Sequence, residues 1–288
     1  MAAELRAIDA HVHFWDPSEM DYPWLANERT LGRAFLPADF EPLRSRAVDA
    51  VVFVEANCAT GQAGRETAWV DRLADEEPRI AGIVAFVDLL DESRRGTALA
   101  RLDGSRRVVG VRHNIQHQLP GFAVQPAFVR GVQAVGASGR PFDLCITAEQ
   151  LDETVTLVER CPDTAFVLDH CGKPAIRDDA FDGWAAGLAR LASHARVSCK
   201  ISGLLTESRD DQRDAGTLAP WVEHARACFG PSRLLYGSDW PVSTLGGGAV
   251  RWRAIVDAIT ASWSEAERAA LFAENATRVY GLPVPVHG

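Results

Sequence analysis

Nothing in this sequence can span a bilayer as a helix: no segment approaches the roughly 20 consecutive apolar residues that a membrane helix needs. No basic run occurs. With 30 Lys and Arg against 39 Asp and Glu, the formal charge is −9, which argues against non-specific binding to nucleic acid. The start, Met1 to Asp9, lacks a basic n-region and a long apolar h-region, so no signal peptide is expected. The six cysteines, Cys58, Cys145, Cys161, Cys171, Cys199 and Cys228, show no paired spacing. They are expected to be reduced core residues of a cytoplasmic protein. Internal repeats, linkers and low-complexity segments are missing. No glycine-rich phosphate turn follows an early strand, which counts against an open doubly wound sheet; no nucleotide or organic cofactor is expected.

What is present is an α/β chain of 288 residues, 47% hydrophobic and 24% charged, the balance of a soluble globular protein. Apolar runs without clean alternation predict eight buried parallel strands. The first begins at Ile8. The others are expected over 47–56, 80–87, 108–111, 142–146, 164–169, 197–201 and 234–237. Helical spacing is seen between them, at 62–77, 92–102, 126–137, 181–193 and 218–229, and after the last strand at 250–262 and 264–280. Thr147, with Gln150 three residues on, opens a further helix as a capping box. Eight such units predict a (β/α)8 TIM barrel, read as a single domain over residues 1–288. The aromatic loop from Asp16 to Asp39 is long for a connection and is expected to form a lid or pocket wall. The glycines at 246–248 are read as a flexible loop.

A barrel places its active site at the C-terminal ends of its strands. His11 and His13 are two positions apart, so in a strand both face one way, their Cα atoms roughly 6.6 Å apart. The other polar strand-end residues are Glu55, Asp88, Arg112, His113, His170, Lys200, Ser202 and Asp239. Asp169 and Lys200, taken singly, read as loop caps or partners of a neighbouring charge. Three imidazoles and a carboxylate from strands 1, 6 and 8 suit a mononuclear metal site or a hydrolytic water site.

These residues, in the phrases Asp9-Ala-His-Val-His-Phe-Trp, Gly110-Val-Arg-His-Asn-Ile-Gln, Leu168-Asp-His-Cys-Gly-Lys-Pro, Cys199-Lys-Ile-Ser-Gly-Leu and Tyr236-Gly-Ser-Asp-Trp-Pro, resemble the amidohydrolase superfamily. Within it they are similar to the sugar-lactone hydrolases (fuconolactonase-like and rhamnonolactonase-like enzymes) and, more distantly, to 2-pyrone-4,6-dicarboxylate lactonase. The resemblance runs from about residue 8 to residue 283. Superfamily members with two metals use Lys or Glu at strand 4 and His at strand 5; here strand 4 runs into Arg112 and strand 5 has no histidine, so a two-metal site is not expected. One divalent metal, zinc, on His11 and His13 with His170 or Asp239 remains compatible, and the resemblance leaves open whether turnover needs it.

The expected reaction is hydrolysis of an aldonolactone such as L-fucono- or L-rhamnonolactone to the sugar acid. Asp239 is expected as general base, with His170 and Arg112 as further catalytic residues and His11, His13 and His170 polarising the carbonyl. His113, Gln116 and Lys200 are expected as substrate contacts, and Trp15, Trp24 and Trp240 as pocket walls. The expected partner is the small lactone alone, with neither membrane nor nucleic acid. The alternatives are a metal-dependent decarboxylase or amide hydrolase of the same architecture, and a barrel that binds a sugar acid without turning it over.

Overall fold

Eight parallel strands pair in chain order in a computed structural model that describes residues 7–45 and 47–283. They are β1 (Ile8–Val12), β2 (Ala50–Val54), β3 (Ile80–Phe86), β4 (Val108–Arg112), β5 (Phe142–Leu144), β6 (Phe166–Leu168), β7 (Val197–Ile201) and β8 (Leu234–Tyr236). The circle closes beyond β8. Val12 bridges Trp240 in parallel, His13 N donates to Trp240 O at 2.7 Å, and Asp239 N donates to His11 O at 2.9 Å. The expected TIM barrel is therefore borne out. The outer ends of the expected 1–288 span, residues 1–6 and 284–288, lie outside the described residues.

Helices Ala63–Glu76, Arg95–Arg101, Pro126–Ala137, Leu151–Arg160, Phe181–Ala192, Ala215–Phe229 and Gly248–Ile259 cover the strands. Thr147 and Gln150 form the expected capping box. The helix expected over 264–280 divides into Glu265–Ala269, a π turn at Ala270–Glu274, and Asn275–Tyr280. The glycines at 246–248 are not a loose loop. Gly246 ends a 3-10 turn pressed against Leu205, and Gly248 opens the next helix.

Alternation sorts the strand residues into two cores. Ile8, Ala10, Val52, Val54, Val84, Val167 and Leu235 fill the barrel, with Tyr280 and Leu282 from the chain's last turns. Val51, Phe53, Phe166, Leu168, Cys199 and Ile201 pack outward under the helices. β1 breaks the pattern. Asp9 pairs with Val51 but Val12 with Phe53, so one extra residue bulges between them. Ile8 and Ala10 face inward before the bulge; after it Val12 faces outward, and His11 and His13 turn inward. A bulge beside a site re-aims side chains in this way.

Among the described residues no helix is long and apolar enough to cross a membrane. All six cysteines are unpaired; Cys145, Cys161, Cys171 and Cys199 are buried, whereas Cys58 and Cys228 are partly exposed.

Candidate active site

Three imidazoles close on one carboxylate at the barrel mouth. Asp239 Oδ1 lies 3.7 Å from His11 Nε2, 3.6 Å from His13 Nε2 and 3.8 Å from His170 Nε2. His11 Nε2 and His13 Nε2 are 3.1 Å apart. All four side chains are buried. His170 and Asp239 are presented on left-handed backbone, at φ 55° and 57°. Two glycines make the room. A Cβ at Gly203 would stand 2.6 Å from His170 Cγ, and one at Gly237 would stand 2.8 Å from His11 Cβ.

The far ring nitrogens decide which protons face the centre. His13 Nδ1 is 2.7 Å from Val54 O and must donate, because a carbonyl only accepts; in the neutral ring that leaves the lone pair of Nε2 pointing inward. His170 Nδ1 is 2.8 Å from Ser202 Oγ. His11 Nδ1 is served on both sides, with Asp169 Oδ1 at 3.1 Å to accept and Lys200 Nζ at 3.1 Å to donate. With Lys200 donating, His11 Nε2–H closes onto His13 Nε2. With Asp169 accepting, His11 presents its own lone pair to the centre. Both tautomers are satisfied in place.

Burial sets the charges. It pushes His11 well below its ordinary value, against the opposing pull of Asp169, and His170 down to about 4, against Asp239. Both rings are thereby neutral near pH 7. Burial also pushes Asp239 up, but the neighbouring His170, His13 and His11 outweigh it and hold the carboxyl below the ordinary carboxylate range. Asp239 is an anion facing the neutral imidazoles of His11 and His170.

Beneath this cup lies a second, buried ionic layer. Lys200 Nζ donates to Asp143 Oδ2 at 2.6 Å and pairs with Asp169 Oδ1 at 2.9 Å. Tyr280 Oη donates to Asp143 Oδ2 at 2.8 Å. Arg112 Nε donates to Glu55 Oε1 at 2.6 Å, Nη2 to Glu55 O at 2.6 Å, and Nη1 to Asp169 Oδ2 at 3.2 Å. Asp169 is the hub, with His11, Lys200 and Arg112 on its two oxygens.

The cup opens into a cavity of about 200 Å³ lined by His13, Trp24, Asn57, Arg112, Asn114, Gln116, Cys145, His170, Lys173, Thr206 and Asp239. Trp24, Gln116 and Arg112 stand where expected. Four expected contacts do not. His113 follows inward-facing Arg112 and so points outward, among Phe86, Phe122 and Phe128, its Nδ1 accepting from Leu89 N at 3.1 Å. Lys200 is sealed below the cup by its two carboxylates. Trp15 lies under the loop, crossed by Tyr22, Trp24 and Phe35, with Nε1 donating to Arg33 O at 2.9 Å. Trp240 packs on Phe14, Phe35 and Phe40. The loop is a wall through Trp24 alone, whose Nε1 donates to Ala56 O at 2.8 Å. Asn57, Asn114, Lys173 and Thr206 were not singled out from the sequence, although Lys173 stands three residues after His170.

The donor set fits a metal ion. His11, His170 and Asp239 each offer a ligand atom within 4.8 Å of the others, and His13 Nε2 adds a fourth. Spacings of 3.1–3.8 Å compare with roughly 3.3 Å between donors about 2.0 Å from a tetrahedral zinc. The carboxylate behind His11 and the carbonyl behind His13 are the outer partners that metal-bound imidazoles use.

The amidohydrolase family model matches residues 8–282. An L-fucono-1,5-lactonase from Burkholderia multivorans is 37% identical, over 96% of this chain and 97% of its own. One from Burkholderia ambifaria is 31% identical, over 83% of this chain and 82% of its own. The crystal structure of an amidohydrolase from Burkholderia multivorans with bound zinc superposes with a TM-score of 0.87 at 33% identity, covering 96% of this chain and 100% of that one.

Proposed function

The chain belongs to the amidohydrolase family, and we propose that it opens a sugar-derived lactone to its sugar acid. Supporting this is the convergence of three Nε2 atoms on the single carboxylate of Asp239, at the mouth of a cavity sized for one ring. The likeness to the two fuconolactonases makes L-fucono-1,5-lactone the first substrate to test.

In this reading the carboxylate of Asp239 orients a water and takes its proton as the water oxygen attacks the lactone carbonyl carbon. The ring C–O bond then breaks, and the departing oxygen takes that proton back. A carboxylate held below its ordinary range is ionised at any working pH but is a weak base. The water must therefore be made more acidic by what surrounds it. Zinc held by Nε2 of His11, His13 and His170, with Asp239 alongside, would supply that acidity and polarise the carbonyl. Arg112 uses three of its five guanidinium donors on Glu55 and Asp169; the others remain for the developing oxyanion. Trp24 offers an indole face to the sugar ring.

A pH-indicator screen of aldonolactones tests the reading. Acid release from at least one, L-fucono-1,5-lactone first, is the expected result, and release from none would overturn it. Parallel assays with chelator, then with zinc restored, decide whether the ion takes part in turnover.

A further inference from the structure

We propose that Lys173 selects polyhydroxylated lactones, its ammonium donating to oxygen substituents of the bound ring; the inference rests on the lactonase reading above. Residues His170, Cys171, Gly172 and Lys173 are all left-handed, with φ of 55°, 53°, 71° and 48°. Lys173 N donates to His170 O at 2.8 Å, closing one turn over these four residues. In such a turn side chains at i and i+3 eclipse. One turn therefore delivers the His170 imidazole and the Lys173 ammonium to the same cavity, and both line it.

Left-handed backbone is unfavourable for a lysine, which glycine would relieve. Strain of this kind persists where the surroundings impose it, and it concentrates at functional sites. The side chain is also placed differently from its charged neighbours. Arg112 and Lys200 each lie against two carboxylates. Among the described residues Lys173 forms no ion pair. Its ammonium donates to the amide oxygen of Gln116, and Gln116 is itself held by His117 and Asn114. Glu207, which burial pushes up and Lys173 pulls down, is within electrostatic reach but unpaired with it. An ammonium has three donors and no acceptor, so its remaining N–H groups suit ligand lone pairs. The same cavity is lined by Asn57, Asn114, Gln116 and Thr206, neutral hydrogen-bonding groups suited to hydroxyls, together with Asp239, His13 and His170.

The test compares wild type with Lys173→Met, Lys173→Gly and Lys173→Arg on the sugar lactone and on δ-valerolactone, a six-membered lactone without hydroxyls. Lys173→Met and Lys173→Gly are expected to lower kcat/KM on the sugar lactone by about 10- to 100-fold, chiefly through KM, the loss of a charged hydrogen bond. The preference for the sugar lactone over δ-valerolactone should shrink by a similar factor, and Lys173→Arg should restore part of it. Lys173→Gly removes the side chain while relieving the backbone, so its melting temperature should not fall below that of wild type. A loss in kcat alone, an equal loss on both lactones, or no loss on either overturns the inference. A wild type that cleaves neither lactone removes the lactonase reading, and this inference with it; an active wild type with an unaltered variant removes this inference alone.

Discussion

The cup and the layer beneath it are both buried and both built around carboxylates, yet they are wired oppositely. In the lower layer every charge meets its complement. Lys200 lies between Asp143 and Asp169, Arg112 between Glu55 and Asp169, and Tyr280 closes onto Asp143. In the cup the carboxylate of Asp239 faces three imidazoles at 3.6–3.8 Å, too far for a direct hydrogen bond. What separates chemistry from scaffolding is whether lone pairs are left aimed at open space. Asp169 and Arg112 belong to both layers, since the Asp169 oxygen that binds Lys200 also meets His11 and Arg112 also lines the cavity.

Variants that test this division should split cleanly between turnover and stability. The largest expected effect is at Asp239. Asp239→Asn should lower kcat by about 100- to 10,000-fold, with a melting temperature near that of wild type, as stopped-flow indicator assays and calorimetry would show. A near-normal rate would remove Asp239 from the role of base. Next comes Lys200→Met, which leaves buried Asp143 without its cation and Asp169 with Arg112 alone. A loss of about 3–5 kcal/mol in denaturant unfolding is expected, partly recovered by adding Asp143→Asn. Unchanged stability with lost turnover would move Lys200 into the cup's chemistry.

A subtler effect concerns pH. Burial, then the charge of Glu55, pushes Glu66 up to about 8 from an ordinary 4.5. Between those values the folded protein holds a proton that the unfolded chain has released. This group's contribution to stability therefore falls as pH rises across that window. Wild type should lose stability relative to Glu66→Gln from pH 4.5 to 8, measured by urea unfolding; a difference that does not change with pH would show Glu66 ionised in the fold. Smallest is His113→Phe, outside the cavity. Turnover should stay within about twofold, with about 1 kcal/mol lost because Leu89 N is left without its acceptor.

Much of this was legible in advance. Continuous apolar runs revealed eight strands, and the His-x-His phrase, His170 and Asp239 revealed the cup. Alternation alone would have separated Arg112 from His113, since neighbours in a strand face opposite sides. The tryptophans could not be sorted that way. Trp15 and Trp240 follow strand ends, where the chain turns, and their burial depends on Phe35 of the long loop and Phe40 just after it. The lower layer was hidden because its partners are distant in sequence. Tyr280 and Asp143 are 137 residues apart, and Lys200 and His11 are 189 apart. Lys173 was hidden by its backbone, because no strand or helix period marks a left-handed turn.

The account is tested most directly by a crystal structure of Asp239→Asn soaked with the sugar lactone. The expected result is an intact ring in the cup, its carbonyl against the Nε2 atoms of His11, His13 and His170 and its hydroxyls toward Lys173 and Gln116. A lactone seated elsewhere, such as the groove between Gly64 and Arg95 on the barrel's outer wall, would contradict it.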